Sequence, residues 1–426
     1  MSVRRHFAVA MVMVSLAFST VSESVAQEWT RFRGPNGQGT SEAANLPVKW
    51  TESDYNWKIE LPGGGHSSPV IWGDKVFVTS GYQESGQGVV LALRASDGEL
   101  LWQEQYALVK YRMSKLNSYA TATPAVDADN VYILWPTAEK IMLVAINHDG
   151  DEIWRRTFGG LHSQHGSGTS PIVFEDIVVF TCEHEETSKK DAKSFWIAVD
   201  RHSGQTRWQL PRDTGPKTSY STPCVYSPAG GKPHLVFSGR SHGMTGVDPR
   251  TGKVIWEMPS AFAWRVVSSP VIADGLLIGA CGDGSRGKSL IAIRLEHTEQ
   301  DFQPQKAYEI DDGSTPYVPT SVAAGGLLFT FHDMGYVSCL RSATGERLWR
   351  EKPAKKFYGS PVWAQGRLYC VTTDGEVVVV GAAESYKLLA VNPLGERSHA
   401  TPAIAGGRMY LRTYSHLISV GPHRHK

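Results

Sequence analysis

Ala198-Val199-Asp200-Arg201-His202-Ser203-Gly204-Gln205-Thr206-Arg207-Trp208 sets a tryptophan four residues after a glycine. The same spacing returns at Gly98/Trp102, Gly150/Trp154, Gly252/Trp256 and Gly345/Trp349. It therefore marks a repeat, and a repeat decides architecture before any single residue does. Glycine suits a tight turn with a bulge that needs positive φ. Tryptophan then falls on an outer strand, where its apolar face can cover the neighbouring unit while the indole N–H finds a carbonyl. Each unit also has a recognisable start, a Ser/Thr-Pro or close variant ahead of an apolar run: Ser68-Pro69, Thr123-Pro124, Ser170-Pro171, Thr222-Pro223, Ser269-Pro270, Thr320-Ser321, Ser360-Pro361 and Thr401-Pro402. These eight starts are spaced by 55, 47, 52, 47, 51, 40 and 41 residues, the period of propeller blades, and no stretch carries a sustained helical period.

Within a unit, Ser269-Pro270-Val271-Ile272-Ala273 reads as a short strand, Asp274-Gly275 as a hairpin turn and Leu276 to Cys281 as a second strand. Third and fourth strands follow, as in Gly243 to Asp248 and Val254 to Met258. The last unit, from Thr401, is too short for four strands, whereas Asn56-Trp57-Lys58-Ile59 precedes the first unit with no strands of its own. The Trp57 strand is therefore expected to complete the eighth blade and leave no open edge. The expected fold is all-β, a single eight-bladed β-propeller of four-stranded antiparallel blades. Its outer strands carry Trp57, Trp102, Trp154, Trp208, Trp256, Tyr308, Trp349 and Leu389, and the tryptophans are structural docking residues.

Arg4-Arg5, the apolar stretch Phe7 to Phe18 and the small-residue ending Ser24-Val25-Ala26 read as a secretory signal cleaved near Ala26, too short to span a membrane. The expected division is a signal peptide at 1–26, an extended segment at 27–55, the propeller at 56–421 and a short tail at 422–426, with the chain exported to a periplasm or the medium. Its 43 basic and 42 acidic residues leave no electrostatic footprint for nucleic acid. Cys182, Cys224, Cys281, Cys339 and Cys370 lie in different units without a C-x-x-C pair, which excludes a zinc or thioredoxin-like motif and reads as buried small hydrophobes.

Ala198-Val199-Asp200 through Gly204 to Trp208, and Gly246-Val247-Asp248 through Gly252 to Trp256, resemble the tryptophan-docking motif of the pyrroloquinoline-quinone (PQQ) repeat superfamily. The resemblance covers residues 57 to 421. It implies kinship with quinoprotein alcohol dehydrogenases and with the BamB-type propeller of outer-membrane assembly, which binds no quinone. Trp29-Thr30-Arg31-Phe32-Arg33-Gly34-Pro35-Asn36-Gly37, with Pro62-Gly63-Gly64-Gly65-His66-Ser67-Ser68-Pro69, looks like the exported PQQ-like repeat proteins common in planctomycete-type bacteria. A dehydrogenase would further imply a calcium-ligating acidic/Asn set, an aspartate base, an aromatic floor for the quinone and, in many members, a disulfide between adjacent cysteines. Adjacent cysteines, a haem-attachment motif and long substrate-covering insertions are all missing from this sequence.

Propellers bind ligands where the loops leading into the inner strands converge. Those loops supply His66, Tyr119, His165, Tyr220, Arg265, Tyr358, Arg397 and His399. Blades seven, eight and one adjoin in a closed ring, so Tyr358, His399 and His66 are expected in one sector, with Arg397 close by. Imidazoles and a phenol there could hold a metal or small anion or serve as acid–base groups, or simply line a wet channel. Glu183-His184-Glu185-Glu186 with Lys189-Lys190 reads as a solvated loop tip. No catalytic residue and no cofactor is assigned. The expectation is a monomeric, non-catalytic propeller that binds or scaffolds proteins or cell-envelope components. A PQQ- and calcium-dependent, or metal-dependent, oxidoreductase at the channel mouth is the alternative. A third is carbohydrate binding through Tyr119, Tyr220, Trp264, Tyr317 and Tyr358.

Overall fold

Each apolar run behind a Ser/Thr-Pro start forms the innermost strand of a sheet in the computed structural model, which describes residues 28–422 except 112, 186–192, 214, 216, 229, 285, 298–301 and 314. The proposed signal peptide, Glu186, Lys189-Lys190 and the tail from residue 423 lie outside the described residues. Eight sheets form, each with four antiparallel strands. Blade three shows the plan: Ile172–Phe174, Ile177–Cys182, Ser194–Asp200 and Thr206–Arg212 follow one another from the channel outwards. The third strands are almost wholly buried and the outer strands alternate, as in Lys140–Asn147 against Glu152–Gly159. This follows from a central strand covered on both faces and an outer strand half in water.

The ring closes as the sequence requires. Tyr55–Glu60 is the outer strand of blade eight, antiparallel to His416–Val420 with Trp57 opposite Ser419. Tyr308 and Leu389 lie on the outer strands Phe302–Ile310 and Leu388–Pro393 of blades five and seven.

The Gly-x-x-x-Trp repeat proves to be a contact between blades. A Cβ on Gly204, whose φ is 68°, would sit 2.7 Å from the Trp154 ring of the preceding blade. Trp154 in turn donates its indole N–H to the Arg201 carbonyl at 2.9 Å, in the turn that Gly204 ends. Trp57, Trp102, Trp208 and Trp349 make the same bond to Ala95, His148, Pro249 and Ala383, and the Tyr308 hydroxyl does so to Ser342. Trp256 departs from the pattern and donates to His234 Nδ1 at 3.0 Å within its own blade. All five cysteines are buried and free.

The segment before the propeller crosses the channel and closes one end of it. Five inner-strand amides at equivalent positions, two residues after each unit's proline, donate to this segment. They are Ile71 to the Trp29 carbonyl, Val126 to Thr30, Val225 to Asn36 Oδ1, Ile272 to Gln38 Oε1 and Trp363 to Gly39, at 2.7 to 2.9 Å. Thr40–Ser41 then pairs in parallel with Val362–Ala364, making blade seven five-stranded. Fully buried Arg33 spends its guanidinium on main-chain oxygens alone: Gly37 and Gln38 within the segment, and Thr320, Ser321 and Pro361 in blades six and seven. From residue 42 the chain lays Leu46 and Trp50 on blades seven and eight before entering the closing strand.

Candidate functional site

The Ser/Thr at each unit's start has a specific task. Ser68 N–H donates to Thr123 Oγ1, Thr123 N–H to Ser170 Oγ, and so on through Thr222, Ser269, Thr320, Ser360 and Thr401, whose N–H returns to Ser68 Oγ. Eight bonds of 2.9 to 3.1 Å thus circle the channel. Because each hydroxyl oxygen accepts, its own proton remains a donor.

Above this ring the mouth opens into a cavity of about 520 Å³. Ser68, Thr123, Ser170, Thr320, Ser360 and Thr401 form its lower wall, and Phe32, from the segment that closes the channel, reaches it from below. Of the side chains singled out from the sequence, His66, His165, Tyr220, Arg265, Tyr358 and His399 line the cavity. Tyr119 does not: it is buried against Tyr111, ring centroids 5.5 Å apart. Arg397 also lies outside the lining and covers the Tyr414 ring at 4.4 Å.

Blades seven, eight and one bring their groups together. The His66 and His399 rings stack at 4.4 Å and 24°, and Tyr358 meets His399 edge-on at 4.9 Å, with Lys356 over the Tyr358 ring. Burial, then neighbouring positive charge, lowers both imidazoles, His66 well below its ordinary value and His399 to about 4. Folded, the pair is neutral at pH 7; unfolded, each titrates near 6.5. Protonation therefore favours the unfolded chain, and the stabilisation held above pH 6.5 is lost as pH falls towards 4. His399→Gln should accordingly flatten the fall of the melting midpoint between pH 6.5 and 4; a variant whose acid sensitivity equals wild type would contradict this.

Across the cavity, Arg265 pairs with Glu185 at 2.6 Å and faces Tyr220. The Tyr220 hydroxyl meets Ser163 Oγ at 2.9 Å, and burial, then the Arg265 charge, lowers His165. Lys217 and Asp283 complete this side. Asp333, which does not line the cavity, accepts the N–H groups of Tyr317 and Val318 at 2.8 and 3.2 Å, and its burial raises it to about 6.

The expected loop tip at Glu183-His184-Glu185 is corrected by the structure, because all three side chains find partners under the rim. Buried Glu183 accepts from Trp196 Nε1 at 2.9 Å and Ser219 N–H at 3.1 Å and lies 3.3 Å from His242 Nε2. His184 Nδ1 accepts the His162 N–H. The charge run hides this because the partners are distant in sequence, Trp196 on the next strand of the same blade and Ser219, His242 and Arg265 on blades four and five.

Sequence reasoning also missed the channel's charge. Arg31, Arg33 and Arg412 are buried, and among the described residues none hydrogen-bonds a carboxylate; burial lowers them to about 10, 9 and 9. Still largely protonated at pH 7, they make the channel positive.

A calcium-bound quinone centre does not fit this lining. Among the described residues, Asp283 is the single carboxylate in the lining, Glu185 is engaged by Arg265, and no group of three metal-ligating side chains occurs.

No curated protein matches the chain. Among solved structures it is similar to BamB from Moraxella catarrhalis (16% identity over 87% of this chain and 97% of that one, TM-score 0.60). It is also similar to quinohemoprotein alcohol dehydrogenase from Comamonas testosteroni (13%, 94% and 81%, TM-score 0.65). A third likeness is to the computationally designed Ika8 protein (12%, 87% and 100%, TM-score 0.60). At these identities the likeness is one of fold, shared by an assembly factor, an enzyme and a designed scaffold. The model of the PQQ-repeat family described as outer membrane protein assembly factor BamB matches residues 48–191, 114–330 and 298–422, and the chain belongs to that family.

Proposed function

We propose that this chain is an exported ligand-binding propeller whose working site is the mouth cavity, and that the site takes a small anionic molecule. The observation that carries the reading is a hydroxyl-ringed cavity above the buried Arg31 and Arg33 guanidiniums, which have no carboxylate partner among the described residues, with Lys217 on its wall beside Asp283 and the Arg265–Glu185 pair. Concave sites with a few convergent polar groups are where small ligands bind, and low-dielectric walls focus the field of buried charge. PQQ, a planar tricarboxylate, is the probe that the family supplies.

Calorimetric titration with PQQ tests this. Binding should need no calcium, weaken with salt and fall about tenfold in Lys217→Ala, the loss of roughly 1.4 kcal/mol of charge-assisted contact. Absence of heat at any salt, or a Lys217→Ala affinity equal to wild type, would overturn the reading.

A scaffolding role of the BamB kind remains the second reading. It is favoured by exposed Tyr82 at the end of the strand Lys75–Tyr82 and by exposed Leu116, Trp264 and Met334 on loops.

A further inference from the structure

The Trp29 to Ser41 segment has no counterpart in the blade repeat, yet it is hydrogen-bonded to six of the eight blades. Its main-chain oxygens and the Asn36 and Gln38 side chains take up inner-strand amides of blades one, two, four, five and seven, and its arginines take up carbonyls of blades four, six and seven. Arg33 also holds a φ of 64°, a conformation that a bulky side chain rarely adopts and that persists only when its surroundings over-determine it. Between buried Arg31 and buried Arg33, Phe32 is left partly exposed and lines the mouth cavity. Two guanidiniums stripped of water and a strained backbone thus hold one phenyl ring at the centre of a channel whose lower wall is all hydroxyl. Hydrophobic burial would have drawn that ring into a blade interface, so its place in an open cavity calls for a role there.

We propose that Phe32 is the selectivity floor of the mouth site, and that the inserted N-terminal segment, rather than any blade, sets how deep a ligand can enter. The inference rests on the mouth-cavity reading and adds a residue to it. The floor offers a ligand one apolar face to stack on, and the hydroxyl ring around it offers donors to that ligand's edge. Phe32→Ala deepens the site towards the Arg31 and Arg33 anchors; Phe32→Trp makes it shallower.

Labelling of Phe32→Cys by a pair of methanethiosulfonates, one anionic and one cationic, tests the floor and the ligand class separately. The five native cysteines are buried and serve as the silent background. Leu116→Cys, on the rim at 53% exposure, is the accessible reference. The thiol at position 32 should react within about tenfold of the rim reference, and the anionic reagent should react faster than the cationic one. A native-like Phe32→Cys protein that neither reagent labels overturns the floor. Labelling without the anionic preference keeps the floor and overturns the anionic reading. Should Phe32→Cys fail to fold, Phe32→Met, closer in volume, reads the same exposure through sulfoxide formation in dilute peroxide. Oxidation at that position supports the floor, and protection there equal to that of buried Met244 and Met409 overturns it.

Discussion

Removing residues 55–60 should abolish cooperative folding or lower stability by more than about 5 kcal/mol, a large part of what a protein of ordinary stability has. Three losses fall together. The ladder from Tyr55 opposite Val420 to Glu60 opposite His416 disappears, exposing the edge of His416–Val420. Buried Trp57 leaves the interface with Gly98 and gives up its bond to Ala95, a truncation that alone costs about 3–5 kcal/mol. The chain between the inserted segment and blade one is also shortened, so Leu46 and Trp50 can no longer keep their places on blades seven and eight. Thermal or urea unfolding measures all of this at once. A midpoint within a degree of wild type would contradict ring closure by this strand.

Arg33→Met should cost about 3 kcal/mol or more, although the residue belongs to no blade. Methionine matches the length but has no donor, so five main-chain oxygens, at Gly37, Gln38, Thr320, Ser321 and Pro361, lose their partner together. Each buried polar group left unpaired costs about 1–3 kcal/mol, and relief from desolvating the guanidinium offsets part of the sum. Arg33→Lys should recover little, because one ammonium cannot serve acceptors spread around a planar fork. Hydrogen exchange gives the signature that separates loss of the inserted segment from general weakening. The amides of Ile71, Val126 and Trp363 should exchange faster while those of the third strands stay protected. Uniform loss of protection would contradict the assignment of this segment as a separately anchored plug.

What could be read from the sequence was whatever the repeat carries. Gly-x-x-x-Trp set the outer strands because turn glycine and docking indole meet across four blade boundaries, at Trp57/Gly98, Trp102/Gly150, Trp154/Gly204 and Trp208/Gly252. The short final unit gave away its missing strand because a propeller cannot leave an edge. His66, His399 and Tyr358 could be assembled on paper, since equivalent positions in adjacent blades must be neighbours. The inserted segment could not be read in this way. Its partners are inner-strand amides and carbonyls as much as 328 residues away, and main-chain groups carry no sequence signal. Only the crowding of Trp29, Arg31, Phe32, Arg33, Asn36 and Gln38 into ten residues hinted that they share a task. Glu183 misled for a related reason: a carboxylate in a charged run looks solvated until the indole of Trp196 and the imidazole of His242 are folded over it.

The most direct measurement is the melting midpoint of the purified protein titrated with PQQ beside an uncharged planar quinone of similar size, in EDTA and at two salt concentrations. A ligand that binds only the native state must raise the midpoint, by an amount that grows with concentration. The expected result is a saturable rise with PQQ that shrinks at high salt and is absent with the neutral quinone. Equal shifts with both probes, or none with either, would contradict an anion site at the channel mouth.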